Sequence, residues 1–240
     1  MSSTNNPGRV AGFWYLLLVL IGPLRLMYIP DKLFVHGNAA ATVSNIAAHE
    51  WLFRAGIISD LVGSVVLIFL TLAFYRLFKS VDRNLAVMVL IFGGVMPALL
   101  DFVGAALDGV TLMIVHGADF LSVFDKPQRD ALAFLFLRFG DEQTNAAEML
   151  WGVWLLPLAL LIYRSRFLPR FLGVWLAING VAYVILCLTG ELLPQYQHDV
   201  FNYGQPAFFA EVALMLWLVI KGARPPMDVA DSSLAIGARA

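Results

Sequence analysis

The stretch HEWLFRAGIISDLVGSVVLIFL, from His49 to Leu70, decides the fold, because it is apolar and long enough to cross a lipid bilayer. A transmembrane helix needs about 20 consecutive, mostly apolar residues. Between Ala55 and Leu70 the only ionisable side chain is that of Asp60. A carboxylate in an apolar helix is costly to bury unless a cation pairs with it or a proton neutralises it. The stretch therefore predicts a membrane span and raises the question of what neutralises Asp60.

The composition extends this prediction to the whole chain. Of its 240 residues 60% are hydrophobic and 14% are charged, whereas soluble domains are about 45–50% apolar and about 25% charged. The single cysteine, Cys187, excludes an intrachain disulfide and a multi-cysteine zinc site. The net charge of −1 and the lack of a basic stripe or Gly-rich phosphate loop give no indication of nucleic-acid binding. We therefore predict an all-α, multi-pass membrane protein whose partner is the lipid bilayer, with no cofactor and no nucleic acid.

Six apolar blocks predict six transmembrane helices. They lie near residues 11–29, 52–75, 85–115, 143–163, 169–192 and 204–221. Ten of the sixteen Lys and Arg residues then fall on one side of the membrane: Arg9, Arg76, Lys79, Arg83, Arg164, Arg166, Arg170, Lys221, Arg224 and Arg239. The positive-inside rule makes this side the cytoplasm, so both termini are predicted to be cytoplasmic.

This topology divides the chain into a cytoplasmic N-terminus (1–10), a six-helix domain (11–222) and a disordered cytoplasmic tail (223–240). It also leaves two long outer loops, after the first and third helices. Residues 30–51 include the small-residue helical stretch GNAAATVSNIAAHE. Residues 116–142 include RDALAFLFLRF, whose apolar positions predict a short helix lying on the membrane or over the mouth of the bundle.

The predicted third helix carries a stripe of small and acidic residues. Its members recur at spacings of three and four and therefore share one face: Gly94, Pro97, Asp101, Gly104, Asp108 and Thr111. Small residues allow neighbouring helices to approach closely, so the acids beside them are expected to point into the bundle. The second helix repeats the pattern around Asp60, the fourth carries Glu148 and the sixth carries Glu211. The predicted ends of the helices place all of these acids in the outer half of the membrane.

Five intramembrane carboxylates face one clear intramembrane cation, Arg25, with Arg54 at the rim. They cannot all stay ionised against one or two arginines, so at least one is expected to take up a proton or recruit a cation. We therefore predict an acidic cavity that opens to the outer side, in which Asp60 pairs with Arg25 or Arg54. The candidate residues for binding a ligand or proton are Asp60, Asp101, Asp108, Glu148, Glu211, Arg25 and Arg54. No catalytic residue is assigned.

The remaining polar and aromatic residues have simpler interpretations. His49, His116 and His198 lie at outer helix ends and are the candidates for a metal site, since imidazole and carboxylate suit zinc, although no HExxH motif is present. The six tryptophans fit an interfacial aromatic belt. Asn179 and Tyr183 are interpreted as packing residues of the fifth helix.

Several motifs together resemble a known family. They are Tyr28-Ile-Pro-x-Lys32, the small-residue run that ends at Asn45-Ile46, Leu-Phe-Arg-x-Gly at 52–56 with Asp60, and Tyr-Arg-Ser-x-Phe-Leu-Pro-Arg at 163–170. The chain resembles the bacterial integral-membrane family called domain of unknown function 4386 over most of residues 10–220. It departs from that pattern at His36, where a proline is expected, and at Leu186-Cys187, where members often carry an acid. The resemblance implies a multi-pass protein of the bacterial cytoplasmic (inner) membrane and implies no particular activity.

Three functions remain open. The first is a protein that binds a small ligand, proton or cation in the acidic cavity, for transport or sensing. The second is an intramembrane enzyme that uses paired carboxylates or a histidine-bound metal. The third is an accessory or scaffold protein whose charges serve only helix packing. We prefer the first, because intramembrane ionisable groups usually mark functional sites.

Overall fold

The computed structural model describes residues 6–224, which form helices joined by short connections. The α-helices are α1 (Pro7–Pro23), α2 (Ile29–Leu33), α3 (Ala39–Ala48), α4 (Glu50–Phe78), α5 (Arg83–Leu90), α6 (Met96–His116), α7 (Lys126–Ser165), α8 (Arg170–Leu192) and α9 (Gln197–Ile220). A π-helical segment, Leu24–Tyr28, joins α1 to α2, and a second, Ile91–Val95, joins α5 to α6. The predicted helix in the small-residue stretch 37–50 is α3.

Residues 6–224 contain six continuous helical segments that are long and apolar enough to cross a membrane. These spans are Pro7–Leu33, Glu50–Phe78, Arg83–His116, Lys126–Ser165, Arg170–Leu192 and Pro194–Ile220. The prediction of an all-α protein with six transmembrane helices is confirmed, and the chain is a multi-pass membrane protein. The predicted second, third and fifth helices agree with the structure within three residues at each end.

The fourth span differs from its prediction. The expected short surface helix in residues 129–139 is wrong, because this segment is the first part of α7, which continues unbroken to Ser165. At about 1.5 Å per residue α7 is about 60 Å long, twice the thickness of the apolar core of a bilayer. A capping box starts it: Asp125 Oδ1 accepts from the Gln128 N–H at 2.9 Å, and Gln128 Oε1 accepts from the Asp125 N–H at 3.0 Å. The loop after the third span is therefore only about residues 117–125.

Both ends of the described chain meet on one side of the bundle. The Gly8 N–H donates to the carbonyl oxygen of Ala223 at 3.0 Å, and the Ala223 N–H donates to Asn6 Oδ1 at 3.0 Å. Ala223, which the prediction assigned to the tail, is buried, while residues 225–240 of that tail lie outside the described residues. We call this side, which also holds the connections 79–82 and 166–169, the terminal face, and the opposite side the loop face.

Small residues bring the spans together where two backbones cross. A Cβ atom on Gly152 of α7 would lie 2.6 Å from the carbonyl oxygen of Gly180 on α8, and one on Gly180 would lie 2.8 Å from that of Gly152. Close backbone approach of this kind is the usual way in which membrane helices gain packing energy. Toward the terminal face the same helices bury an apolar core that includes Tyr15, Phe74 and Leu155. This core holds the terminal-face half of the bundle closed.

Candidate functional site

Arg25 joins three spans through two carboxylates. Its Nε donates to Asp60 Oδ2 at 2.8 Å, and its Nη2 donates to Asp108 Oδ2 at 2.7 Å. The side chains of Arg25 and Asp60 are each 21% exposed and that of Asp108 is 6% exposed. One guanidinium thus serves two acids, and Asp60 is neutralised by Arg25. Arg54, the alternative partner, pairs with Glu50 on the surface of α4 at 2.6 Å and lies outside the cluster.

Local backbone features set the position of Arg25. Pro23 ends α1, and the wider π-helical turn that follows carries Arg25. On α4 the facing residue is Gly56, where a Cβ atom would lie 2.8 Å from Ile29 Cδ1 and 3.8 Å from Arg25 Cδ. The missing side chain at Gly56 therefore lets the first span approach α4 closely enough for Arg25 to reach Asp60, one turn further along α4.

Asp101 lies beside this cluster but has a neutral partner. Ser64 Oγ lies 3.0 Å from Asp101 Oδ2 and 2.8 Å from the carbonyl oxygen of Asp60, and its one proton is shared between these acceptors. Among the described residues no Lys, Arg or His side chain is within ion-pair distance of Asp101.

A cavity of about 540 Å³ opens at the loop face, and we call it the loop-face cavity. Its charged lining residues are Arg25, Asp60, Asp101, Asp108, Arg138, Asp141, Glu142 and Glu148. Six carboxylates thus share the cavity with two guanidinium groups. Arg138 Nη1 bonds Asp141 at 3.0 Å, and its Nη2 lies 3.9 Å from Glu142. Both arginines are occupied by other acids, so Asp101 and Glu148 have no cationic partner within residues 6–224.

Two side chains of α7 bring unsatisfied acceptors to this cavity. Glu148 Oε2 and Gln143 Oε1 are both buried, and neither accepts a hydrogen bond from any described residue. Gln143 is oriented by its amide group, which donates to the carbonyl oxygen of Leu100 on α6 at 2.8 Å. Buried acceptors are nearly always hydrogen-bonded in folded proteins, so two of them lining one cavity indicate a place where a donor can bind.

The depth of these groups follows from their positions in the spans. Arg25 lies eighteen residues after Pro7, Asp60 eighteen before Phe78, and Glu148 seventeen before Ser165. At about 1.5 Å per residue they lie about 26 Å from the terminal face, close to the loop-face boundary of a core about 30 Å thick. An apolar core that begins at the terminal-face ends of the spans would thus have the cavity at its opposite boundary.

Glu211 is deeper than the sequence predicted. Because α9 begins at Gln197, Glu211 lies fourteen residues along it, or about 21 Å from that end. Its Oε2 accepts from the Tyr15 hydroxyl at 2.6 Å, and its Oε1 accepts from Asn179 Nδ2 at 3.2 Å. Glu211 lines a second cavity, of about 340 Å³, that also includes Arg25, Asp60 and Asp101. The two cavities adjoin, and Glu211 lies below the loop-face cavity rather than in it.

The histidines do not converge. His116 Nε2 lies 2.9 Å from Glu50 Oε2, and His49 Nδ1 lies 3.2 Å from the carbonyl oxygen of Asn45. His198 lies on the wall of a smaller surface pocket, which shares Glu148 and Gln197 with the loop-face cavity. In the part of the chain that the structure describes, no group of three or more His, Cys, Asp and Glu side chains is arranged to hold a metal ion.

Sequence reasoning missed the partners of Glu211. Asn179 was interpreted as a packing residue, and Tyr15 received no role. Both are polar residues in the middle of apolar spans: Tyr15 lies eight residues after Pro7, and Asn179 lies nine after Arg170. These positions place both at about 12–14 Å from the terminal face, the same depth as Glu211. Equal depth is the signal that could have grouped them.

Comparison with known proteins agrees with this architecture. The model of the family "Domain of unknown function (DUF4386)" matches residues 10–222. An uncharacterized protein of Archaeoglobus fulgidus is 26% identical over 170 residues, which cover 69% of this chain and 85% of the relative. No solved structure matches the chain.

Proposed function

We propose that this chain, which belongs to the DUF4386 family, binds a small cation or a small molecule with a cationic group in the loop-face cavity. Binding there would serve transport or sensing. The observation that supports the proposal is the charge balance of the cavity, in which six carboxylates face two arginines, and four of the six already pair with these arginines. A cationic ligand would supply the charge that Asp101 and Glu148 lack.

The same argument separates two roles among the acids. Asp60 and Asp108 both bond to Arg25, and the three residues join three spans, so we assign these two acids to packing. Asp101 and Glu148 gain nothing comparable from the protein, and Glu148 Oε2 is left without a donor. Burying these two carboxylates without a cationic partner costs free energy, and a bound cation would offset that cost. We therefore assign Asp101 and Glu148 to ligand binding.

The expected location is a bacterial cytoplasmic membrane with the loop face outward. Of the described residues, nine Lys and Arg lie at the terminal face: Arg9, Arg76, Lys79, Arg83, Arg164, Arg166, Arg170, Lys221 and Arg224. Five lie at the loop face: Lys32, Arg54, Lys126, Arg129 and Arg138. This asymmetry supports a cytoplasmic terminal face, and the cavity would then receive its ligand from outside.

Thermal unfolding of the purified protein in detergent, with K⁺, Ca²⁺ or ethanolamine added, tests the proposal. A ligand at 100 times its Kd stabilises the folded state by about 2.7 kcal/mol, so at least one of these cations should raise the unfolding temperature. Asp101→Asn and Glu148→Gln should each reduce that rise. Asp31→Asn and Asp199→Asn are the matched controls, because they remove exposed loop-face acids that do not line the cavity.

The outcome also decides against the alternatives. If none of the cations stabilises the wild type, or if the rise survives in the double variant D101N/E148Q, the cation-binding proposal is wrong. In that case, if Asp101→Asn and Glu148→Gln lower the unfolding temperature and no cation raises it, the hypothesis of a scaffold protein is favoured. Hydrolytic activity that depends on added zinc would favour the enzyme reading.

A further inference from the structure

The second cavity lies inside the bundle, below the loop-face cavity, and we call it the inner chamber. Residues of all six spans line it, among them Tyr15, Asp60, Gly93, Trp154, Tyr183 and Glu211. It shares Arg25, Leu26, Asp60, Asp101 and Trp151 with the loop-face cavity, so the two cavities lie on opposite sides of these side chains. Its volume of about 340 Å³ is within the range of roughly 300–1,000 Å³ found for small-molecule pockets.

Four aromatic side chains form much of the wall: Trp151, Trp154, Tyr183 and Phe208. The Tyr183 ring stacks on that of Phe208 with centroids 4.7 Å apart, and the Trp151 ring meets Tyr183 edge-on at 5.8 Å. Trp151 and Trp154 precede Ser165 by fourteen and eleven residues, or about 21 and 16 Å. These two tryptophans therefore lie inside the apolar core and not in the interfacial belt that the sequence predicted.

Glu211 lies at the end of this chamber nearest the terminal face. Within residues 6–224 it is hydrogen-bonded by Tyr15 and Asn179 and has no cationic partner. Asn179 is fully buried, and its Oδ1 accepts no hydrogen bond from any described residue. The end of the chamber thus offers the carboxylate of Glu211, an acceptor that no cation of the described residues pairs with.

We propose that the inner chamber binds an organic ammonium ion with an apolar body, whose cationic group lies at Glu211. The faces of aromatic rings attract such cations, while the aliphatic part of the wall, with Leu18, Val19 and Leu67, fits an apolar body. An N–H of the ammonium can donate to a carboxylate oxygen of Glu211. This inference rests on the proposed function, since the ligand enters through the acidic loop-face cavity.

The chamber favours an organic cation over a metal ion. Hard metal cations take six or more oxygen ligands, or keep several bound waters. Next to Glu211 the chamber is lined by Phe208 and Val212, and the other oxygen-bearing side chains, among them Asp60 and Asp101, belong to other spans, so rings and aliphatic groups make up much of the wall and offer no such ligands. The apolar wall adds affinity only for a cation that carries carbon.

Binding of radiolabelled phenethylamine to the purified full-length protein at pH 7, by equilibrium dialysis, tests the inference. Phenethylamine is protonated at this pH, whereas 2-phenylethanol has the same shape and no charge, and the ammonium ion has the charge without the apolar body. The wild type should bind phenethylamine at least tenfold more tightly than either of the other two. Glu211→Gln should weaken phenethylamine binding at least tenfold, and Phe208→Leu should weaken it several-fold.

The matched control is Glu191→Gln, which removes a carboxylate of α8 that is exposed and lies outside the chamber. It should leave phenethylamine binding unchanged. Equal binding of phenethylamine and 2-phenylethanol would overturn the inference without any variant, because it would show an apolar pocket with no charge recognition. This comparison remains decisive even if Glu211→Gln fails to fold.

Failure of this inference and failure of the proposed function give different results. If phenethylamine binding is lost in Asp101→Asn and Glu148→Gln but unchanged in E211Q and F208L, the loop-face cavity binds cations and the inner chamber does not. If K⁺, Ca²⁺ and ethanolamine all fail to stabilise the protein and phenethylamine still binds through Glu211, the chamber inference stands without the loop-face site.

Discussion

Arg25 is the residue whose loss should disturb the bundle most among the charged positions. It bonds Asp60 of the second span and Asp108 of the third, and all three side chains are largely buried. Buried ion pairs add little net stability when complete, because desolvation offsets their attraction. Removing one partner is different, since the remaining charges stay buried without compensation.

Replacing Arg25 with Met should therefore destabilise the protein by about 3 kcal/mol, because two carboxylates lose the one cation that pairs with them among residues 6–224. Denaturant-induced unfolding in detergent micelles measures this change. Arg54→Met is the matched control: Arg54 is exposed and pairs only with Glu50 on its own helix, so its loss should change the unfolding midpoint far less. Equal effects of the two substitutions would contradict the assigned role of Arg25.

At the scale of elements, the long helix α7 organises the site. It supplies Gln143 and Glu148 to the loop-face cavity and Trp151 and Trp154 to the inner chamber. It reaches these positions because Gly152 brings it against Gly180 of α8 with backbone atoms in contact. Gly173 of α8 makes a second such approach, since a Cβ atom there would lie 2.7 Å from the carbonyl oxygen of Ala159 on α7.

Gly152→Ala tests this crossing. The new Cβ atom would meet the backbone of α8, which cannot rotate away as a side chain can, so we expect destabilisation of about 1–3 kcal/mol. Gly109→Ala is the matched control, because no atom lies within 4 Å of a Cβ there, and alanine is the better helix former. The measurement is the unfolding midpoint of both variants in the same detergent. A neutral G152A would mean that the two helices are not held by close contact.

At the scale of the whole molecule, the two faces differ in charge and in openness. The terminal face carries most of the basic residues and the apolar core beneath it, while the loop face carries the acidic cavity. The loop-face cavity opens on one of these two faces, so the orientation of the chain in the membrane determines which compartment this cavity faces.

Cysteine labelling in intact cells checks the orientation. In a C187A background, Asn38→Cys places a thiol at the exposed loop face and Ser80→Cys places one at the exposed terminal face. A membrane-impermeant maleimide should label N38C in intact cells and S80C only after permeabilisation, because the positive-inside rule puts the terminal face in the cytoplasm. The reverse pattern would place the cavity in the cytoplasm and would contradict the outward-facing site.

The amino-acid sequence by itself determined the six spans and the inward direction of the acids. Both follow from local patterns: an apolar run such as 55–70 must cross the membrane, and residues such as Asp101 and Asp108 share a face because of helical periodicity. The small residues beside them, such as Gly94 and Gly104, already indicated close helix contacts. The start of α7 was also encoded, in the capping residues Asp125 and Gln128, but the apolar pattern beyond them fits a surface helix equally well.

Only the tertiary structure decided which groups meet. Arg25 pairs with Asp60 and Asp108, across 35 and 83 residues of sequence, and Tyr15 meets Glu211 across 196. Such contacts depend on the rotation, tilt and vertical offset of each helix against its neighbours. Hydropathy fixes the depth of a span only to within a few residues, and at about 1.5 Å per residue that error exceeds the length of a hydrogen bond. Packing of the six spans removes this uncertainty, and it alone assembled the inner chamber.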